Sequence, residues 1–388
     1  MPASTVSGES QVRLGTDDLA EKDPDVCIVG GGPAGLAAAI ALRREGFAVS
    51  LTDCAVPPID KGCGEGLMPD SIAVLRELGI VIPSGLGFRF RGARFTDGRS
   101  SVVADFPIGT GIGLRRTVLH KLLTERATEL GVSFFWGTKR TQLEAAGIVI
   151  DGEMMKPQLI IGADGQNSRI RRDAGLDKTR RQVRRFGFRR HYRLAPWSPY
   201  MELHWGKRCQ IYITPVSENE ICVVLMSSDP KLRLNEGLAE FPEVEGRLSG
   251  AETSSIETGS VTVSRELERV CRKGLALVGD ASGSVDAITG EGLCLAFRQA
   301  VALGRAFKAG NLSSYERMHH ALTRRASLMA SLMLSLEKRQ NFRRRALGSL
   351  ERHPDIFARL LAIHVGQSSF LDLCSLRLLD LGLAFFAP

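Results

Sequence analysis

The apolar residues change their spacing along the chain, and the changes outline its elements. Residues 26–29 are a continuous apolar run, the pattern of a strand buried on both faces. An alanine-rich run through Ala37, Ile40 and Leu42 predicts a helix from Pro33 to the stop at Gly46, and residues 48–52 predict a second strand. Ile72, Leu75 and Leu78 fall at helical spacing over 70–78, as do Leu119, Leu122, Leu123, Ala127 and Leu130 over 116–130. Short alternating runs over 86–114, then 132–136 and 158–163, predict further strands. From 182 to 265 the pattern becomes a β-rich meander, with runs at 189–194, 201–205, 209–214 and 220–226. An apolar strand returns at 275–278, a helix follows over 292–309, and residues 313–388 read as helical with breaks at Gly348, Pro354 and Gly366. The expected fold class is therefore α/β. Two stretches, 25–181 and 266–310, form one discontinuous domain around a β-rich insert at 182–265. A polar, flexible tail covers 1–24 and a helical region covers 311–388.

Composition narrows the class. The 388 residues are 44% hydrophobic and 24% charged, as in ordinary globular proteins. No run approaches the roughly 20 apolar residues that span a bilayer, and the polar start lacks the apolar stretch of a secretory signal. The eight cysteines form no C-x-x-C pair and lack metal-ligand spacing, so no metal site is expected, and reduced thiols in the cytoplasm suit them better than a disulfide framework. The net charge of +8 gathers in two basic blocks, 171–193 and 324–345. No nucleic-acid motif accompanies them. They read as a solvated surface, or as attraction for an anionic membrane or substrate.

The chemistry starts at the end of the first strand. Gly30-x-Gly32-x-x-Gly35 supplies a tight turn, a close approach to a diphosphate and close helix–strand packing, with Pro33 and Ala34 opening the helix. The helix N-terminus offers free amides to an anion. Asp53 ends the second strand 23 residues after Gly30, near the spacing at which a carboxylate takes a ribose 2′-hydroxyl, which favours FAD or NAD over NADP. Two later strands run into IIGADGQNSRIR, with Asp164, and LALVGDASGSVDAITGEG, with Gly279, Asp280, Gly290 and Gly292. A glycine-rich loop, KGCGEGLMP, carries Lys61, Cys63 and Glu65 as its reactive groups.

Taken together over residues 24–310, these motifs resemble the FAD-binding Rossmann-type (glutathione reductase 2-like) fold. More narrowly, they resemble the aromatic hydroxylases of the p-hydroxybenzoate hydroxylase type and the geranylgeranyl reductases. The resemblance implies FAD on Gly30, Gly32, Gly35 and Asp53. Asp280 would lie on the ribityl or diphosphate side, and the turn from Thr289 to Leu293 at the isoalloxazine edge. It gives Arg116, or its neighbour Arg115, a contact with the ribityl or phosphate portion. Asp164 falls either near the cofactor or in a structural turn. The K-x-C-G loop resembles that of the reductases, where it borders the flavin and its cysteine can be redox-active; the alternative is a plain connector.

Several features depart from the family patterns. The halogenase tryptophan signature is absent, the three tryptophans being scattered at 136, 197 and 205. Asp280–Ala281–Ser282–Gly283 and Ala287 differ from the phenol hydroxylases, and no second G-x-G-x-x-G offers a site for NAD(P)H. The leading expectation is an FAD-dependent monooxygenase, reduced by NADH or NADPH and acting through a C4a-hydroperoxyflavin on a small aromatic or polyketide-like substrate of hydrophobic character. Cys63, Glu65 and Tyr212 are its candidate catalytic residues, with Tyr212, Thr214 and Pro215 facing the flavin. One alternative is a reductase of isoprenoid double bonds; another is an FAD-fold binding or escort protein without redox work. The expected location is cytoplasmic. A Met- and Leu-rich face over 314–346, flanked by arginines, reads either as a packed helix or as a peripheral membrane contact.

Overall fold

A computed structural model describes residues 23–369, so the predicted tail up to residue 22 and the helical reading of 370–388 lie outside the described residues. A six-stranded sheet carries the nucleotide-type motifs. Its order is Cys271–Arg272, Leu275–Leu277, Leu159–Gly162, Val26–Val29, Val49–Asp53, Ser133–Trp136, parallel except at the first pair. The central strands VCIV and LIIG are buried throughout because helices cover the sheet. The Pro33–Arg44 helix buries Ala37, Ala38, Ala39 and Ala41, and it lies close against the Gly292–Lys308 helix. A Cβ at Gly304 of that second helix would meet Ala41 at 3.4 Å, so small residues set the spacing.

The β-rich region is larger than the insert expected over 182–265. Thr179–Arg193 is one 15-residue strand that begins before 182, and Gly92–Thr96 and Ser101–Asp105 join the same eight-stranded sheet. Gly92–Thr96 enters by parallel pairing with Tyr200–Trp205, a long-range partnership that local spacing does not reveal. Both faces of this sheet are covered. Ile211, Ile213, Val223 and Leu225 pack on one side with the Leu234–Leu238 and Pro242–Leu248 helices. Leu203, Val224 and Met226 face the other way, toward the C-terminal helices. Alternate residues of a strand point to opposite faces, so Cys209, Ile211 and Ile213 serve one core and Tyr212 the other.

The C-terminal region folds as Leu312–Lys338, Gln340–Arg352 and Pro354–His364. The break expected at Gly348 is absent. Gly348 sits inside the second of these helices, where a Cβ would come within 3.8 Å of Ser100. The chain turns instead at Arg339, whose φ of −121° and ψ of 87° leave the helical region. Arg343 secures this turn: it donates to the carbonyls of Leu336 and Glu337, both at 3.4 Å, and to that of Gly206 at 3.0 Å. Its guanidinium thus satisfies carbonyls at the end of the long helix.

Candidate functional site

The three glycines of the first turn differ in what surrounds them. Gly30 has a φ of +115°, and a Cβ there would lie 2.3 Å from the Ala163 carbonyl oxygen. A Cβ at Gly35 would lie 1.8 Å from the Gly30 carbonyl oxygen, while one at Gly32 would meet nothing within 4 Å. Gly32 therefore faces open space in the wall of a large cavity, at the uncapped start of the Pro33–Arg44 helix. Gly31 is constrained too, because Trp136 would be 2.2 Å from its Cβ. The turn is held by two groups. Asp53 Oδ2 accepts from the Gly31 amide at 2.6 Å, and buried His120 places Nε2 2.9 Å from the Gly31 carbonyl. Burial lowers the His120 pKa, so the ring is neutral and its Nε2 carries the proton.

The opposite wall comes from the late motifs. Gly279 and Gly290 adopt φ values of +60° and +67°, and Gly292 is open at the start of its helix. These glycines and Leu293 line the cavity together with Pro33, Ala34, Asp53 and Asp280. Asp280 pairs with Lys61 at 3.0 Å. Arg116 also lines it and leaves its Nε buried without a hydrogen-bond partner, whereas Arg115 turns away to Glu220 at 3.3 Å. Open backbone at Gly32 and Gly292, two helix starts and an unpartnered arginine nitrogen suit an anionic dinucleotide. Asp164 borders the same space, but its carboxylate is filled by the turn it heads. Ser168 Oγ donates at 2.5 Å, and the amides of Arg169 and Ile170 donate at 2.7 and 3.1 Å.

The structure gives the expected catalytic residues different surroundings. Glu65, with φ +59°, is 3% exposed, and both its oxygens are engaged. Oε2 lies 2.6 Å from His191 Nε2, and Oε1 accepts from the Arg116 amide at 2.9 Å and from Arg189 at 3.3 Å. Arg189 also grips Asp60 with two bonds of 2.9 and 2.8 Å. This network pins the glycine-rich loop to the Thr179–Arg193 strand, which gives Glu65 a structural task. Glu65, His191 and Cys222 present ligand-type atoms within 4.8 Å of one another. The Arg189 guanidinium already supplies the positive charge there, and burial holds the Cys222 thiol neutral. Cys63 is half-buried in the cavity wall, its Sγ 3.4 Å from the Glu65 amide. Tyr212 lines the cavity, donating to the Ile288 carbonyl at 3.3 Å, and burial pushes its pKa far up, so it acts as a donor and not as a base. Thr214 joins it in the wall; Pro215 does not, because its carbonyl backs onto Gly113.

Beyond the glycine turns the cavity, of about 1230 Å³, opens into an apolar chamber. The sheet contributes Phe95, Leu203 and Val224; the C-terminal helices contribute Met333, Leu336 and Phe357. The Met-rich face of 314–346 is thus partly a chamber wall. The first basic block is not uniformly on the surface either, since Arg171, Arg185 and Arg189 are among the largest fully buried side chains. Arg185 joins three elements, reaching Asp286 at 2.9 Å, Gln210 at 3.1 Å and Glu337 at 2.8 Å. The sequence reading missed His120, Arg185 and Asp286. Only Asp286 left a local signal, as an acid heading a turn, where it accepts from the Ile288 amide.

Comparison with known proteins agrees with this geometry. The profile of the FAD binding domain family matches residues 23–314. The chain belongs to that family. It is 26% identical to a menaquinone reductase of Mycolicibacterium smegmatis over 75% of this chain and 78% of that protein. A Bacillus subtilis protein named for FAD-dependent monooxygenase activity is 25% identical over 71% of this chain and 82% of its own length. Among solved structures, 2-methyl-3-hydroxypyridine-5-carboxylic acid oxygenase superposes with a TM-score of 0.66 at 25% identity, covering 82% of this chain and 93% of that one. The chain is therefore an FAD-dependent oxidoreductase. Among the described residues, no helix is long and apolar enough to cross a membrane.

Proposed function

We propose that the chain is an FAD-dependent monooxygenase that takes reducing equivalents from NADH or NADPH and oxygenates a hydrophobic ring compound. The carrying observation is one cavity that runs from the dinucleotide-type turns into a chamber walled by Leu, Met and Phe. Bound FAD supplies the electron transfer and the oxygen activation. The chain's own residues bind, orient and exclude water. Gly32 and the start of the Pro33–Arg44 helix receive the diphosphate, Arg116 offers its unpartnered Nε to the anionic cofactor, and the helix starting at Gly292 places positive potential at the flavin edge. Phe95, Leu203 and Met333 keep the reacting ring dry.

The test supplies NADH or NADPH and an alkylphenol under ¹⁸O₂. Label in the product supports the reading; nicotinamide oxidation that yields only hydrogen peroxide, across a panel of hydrophobic phenols and quinolones, opposes it. A reductase acting on isoprenoid double bonds is the second reading, favoured by the position of Cys63 in the cavity wall. Anaerobic reduction of a prenyl lipid by the reduced protein, abolished in Cys63→Ser at normal flavin content, would establish it instead.

A further inference from the structure

Strand register shows how the chamber floor is laid out. Val224, Tyr212, Leu203 and Phe95 stand opposite one another on four neighbouring strands of the eight-stranded sheet, and all four line the cavity. Cross-strand neighbours point to the same face, so they form one row. Tyr212 marks the cofactor end, because its hydroxyl donates to the Ile288 carbonyl in the turn before Gly290. Leu203 and Phe95 follow at one and two strand spacings, which puts Phe95 roughly 10 Å beyond Tyr212. This stretch of floor is apolar, and Met201 and Ala93 run beside it as a second opposed pair. Met333 and Leu336 of the long helix form part of the roof.

The far end is closed. Val102, the next residue of the row, is buried with the C-terminal helices in the same core. The Phe357 ring lies on Phe95 with centroids 4.9 Å apart, and Trp205 meets Phe95 edge-on at 5.2 Å. Hydrogen bonds fasten the helices to this edge of the sheet. The Ser101 amide donates to Glu351 at 3.3 Å, and Ile108 and Gln367 exchange two bonds of 3.0 and 2.8 Å. A ring held at the Tyr212 end would leave the far half of the chamber without contacts, a loss that an apolar chain recovers.

We propose that Phe95 and Phe357 set the length of an apolar chain carried by the substrate. The substrate is then a ring bearing an alkyl or prenyl chain. The ring stays at the Tyr212 end, a placement that rests on the oxygenase reading above, and the chain crosses the sheet toward the two phenylalanines. Each methylene that enters exchanges water for Leu, Met and Phe side chains and tightens binding. One methylene too many must displace rings that are already packed, and binding weakens.

Binding tests this without turnover. The flavin-loaded protein is titrated with 4-alkylphenols from methyl to dodecyl, following the visible flavin spectrum. In the wild type, affinity should rise about fourfold with each methylene and then fall once the chain outgrows the slot. Phe95→Leu and Phe357→Leu, which keep an apolar side chain in the core, should each move the turning point to longer chains. Both should leave the affinity for 4-methylphenol unchanged, since the cofactor end is untouched. Should one variant lose its flavin, the other carries the comparison. An affinity that climbs without reversal to dodecyl, or that ignores chain length, overturns the proposal on the wild type alone. A turning point unmoved by these changes overturns it as well. Chain-length selection without ¹⁸O incorporation into any bound phenol would defeat the oxygenase reading alone, and incorporation without chain-length selection would defeat only this one.

Discussion

Gly32 gives the sharpest residue-scale prediction because its surroundings separate folding from binding. Its Cβ would meet nothing within 4 Å, so Gly32→Val should fold normally. The added side chain would nevertheless fill the space into which the diphosphate must come. The expected outcome is a protein with the thermal stability of flavin-free wild type that purifies with little flavin; normal flavin occupancy would show that the diphosphate lies elsewhere. Gly30 and Gly35 behave differently, since a side chain there strikes the Ala163 and Gly30 carbonyls and should damage the fold itself. All three were legible in the sequence because turn, strand and helix are local neighbours. Gly31 and His120 were not. The limit at Gly31 comes from Trp136, over a hundred residues away in the chain, and the partner of His120 is 89 positions distant. The surroundings of Glu65 were hidden for the same reason: the sequence shows a reactive group on a glycine loop, and only the fold brings Arg189 and His191 to it.

At the scale of elements, the strand–turn–helix unit was readable because its hydrophobic period and its glycines agree. The Thr179–Arg193 strand was readable only in part, since its arginines look like a surface stripe. Alternation turns Arg185 and Arg189 inward to acidic partners instead: Arg185 reaches Asp286 and Glu337, and Arg189 reaches Asp60 and Glu65. Arg185 thereby fastens the sheet to the turn before Gly290 and to the long C-terminal helix. Arg185→Met should destabilise the protein by about 3–5 kcal/mol, because buried Asp286 and half-buried Glu337 would be left as uncompensated acids. Denaturant unfolding of the flavin-loaded protein measures it. A loss below about 1 kcal/mol would mean that the guanidinium contributes little.

Across the whole molecule, the C-terminal helices close the chamber against the sheet, and this changes what their surface has left to offer a membrane. Met329, Met333 and Leu336 are buried, and Arg343 is turned inward to cap a helix end. Met318, Leu328 and Leu332 stay exposed beside Arg324, Lys338, Arg339, Arg344 and Arg345. The remaining apolar area is too small and scattered for insertion, while the remaining cations are enough to feel an anionic surface at about 1 kcal/mol each. The expected behaviour is weak pelleting with anionic vesicles at low salt, lost as salt screens the charges, and no pelleting with neutral vesicles. Salt-resistant binding to neutral vesicles would show that Leu328 and Leu332 enter the lipid. No binding to anionic vesicles at low salt would leave the basic surface without a membrane role, and a hydrophobic substrate would then have to reach the chamber from solution.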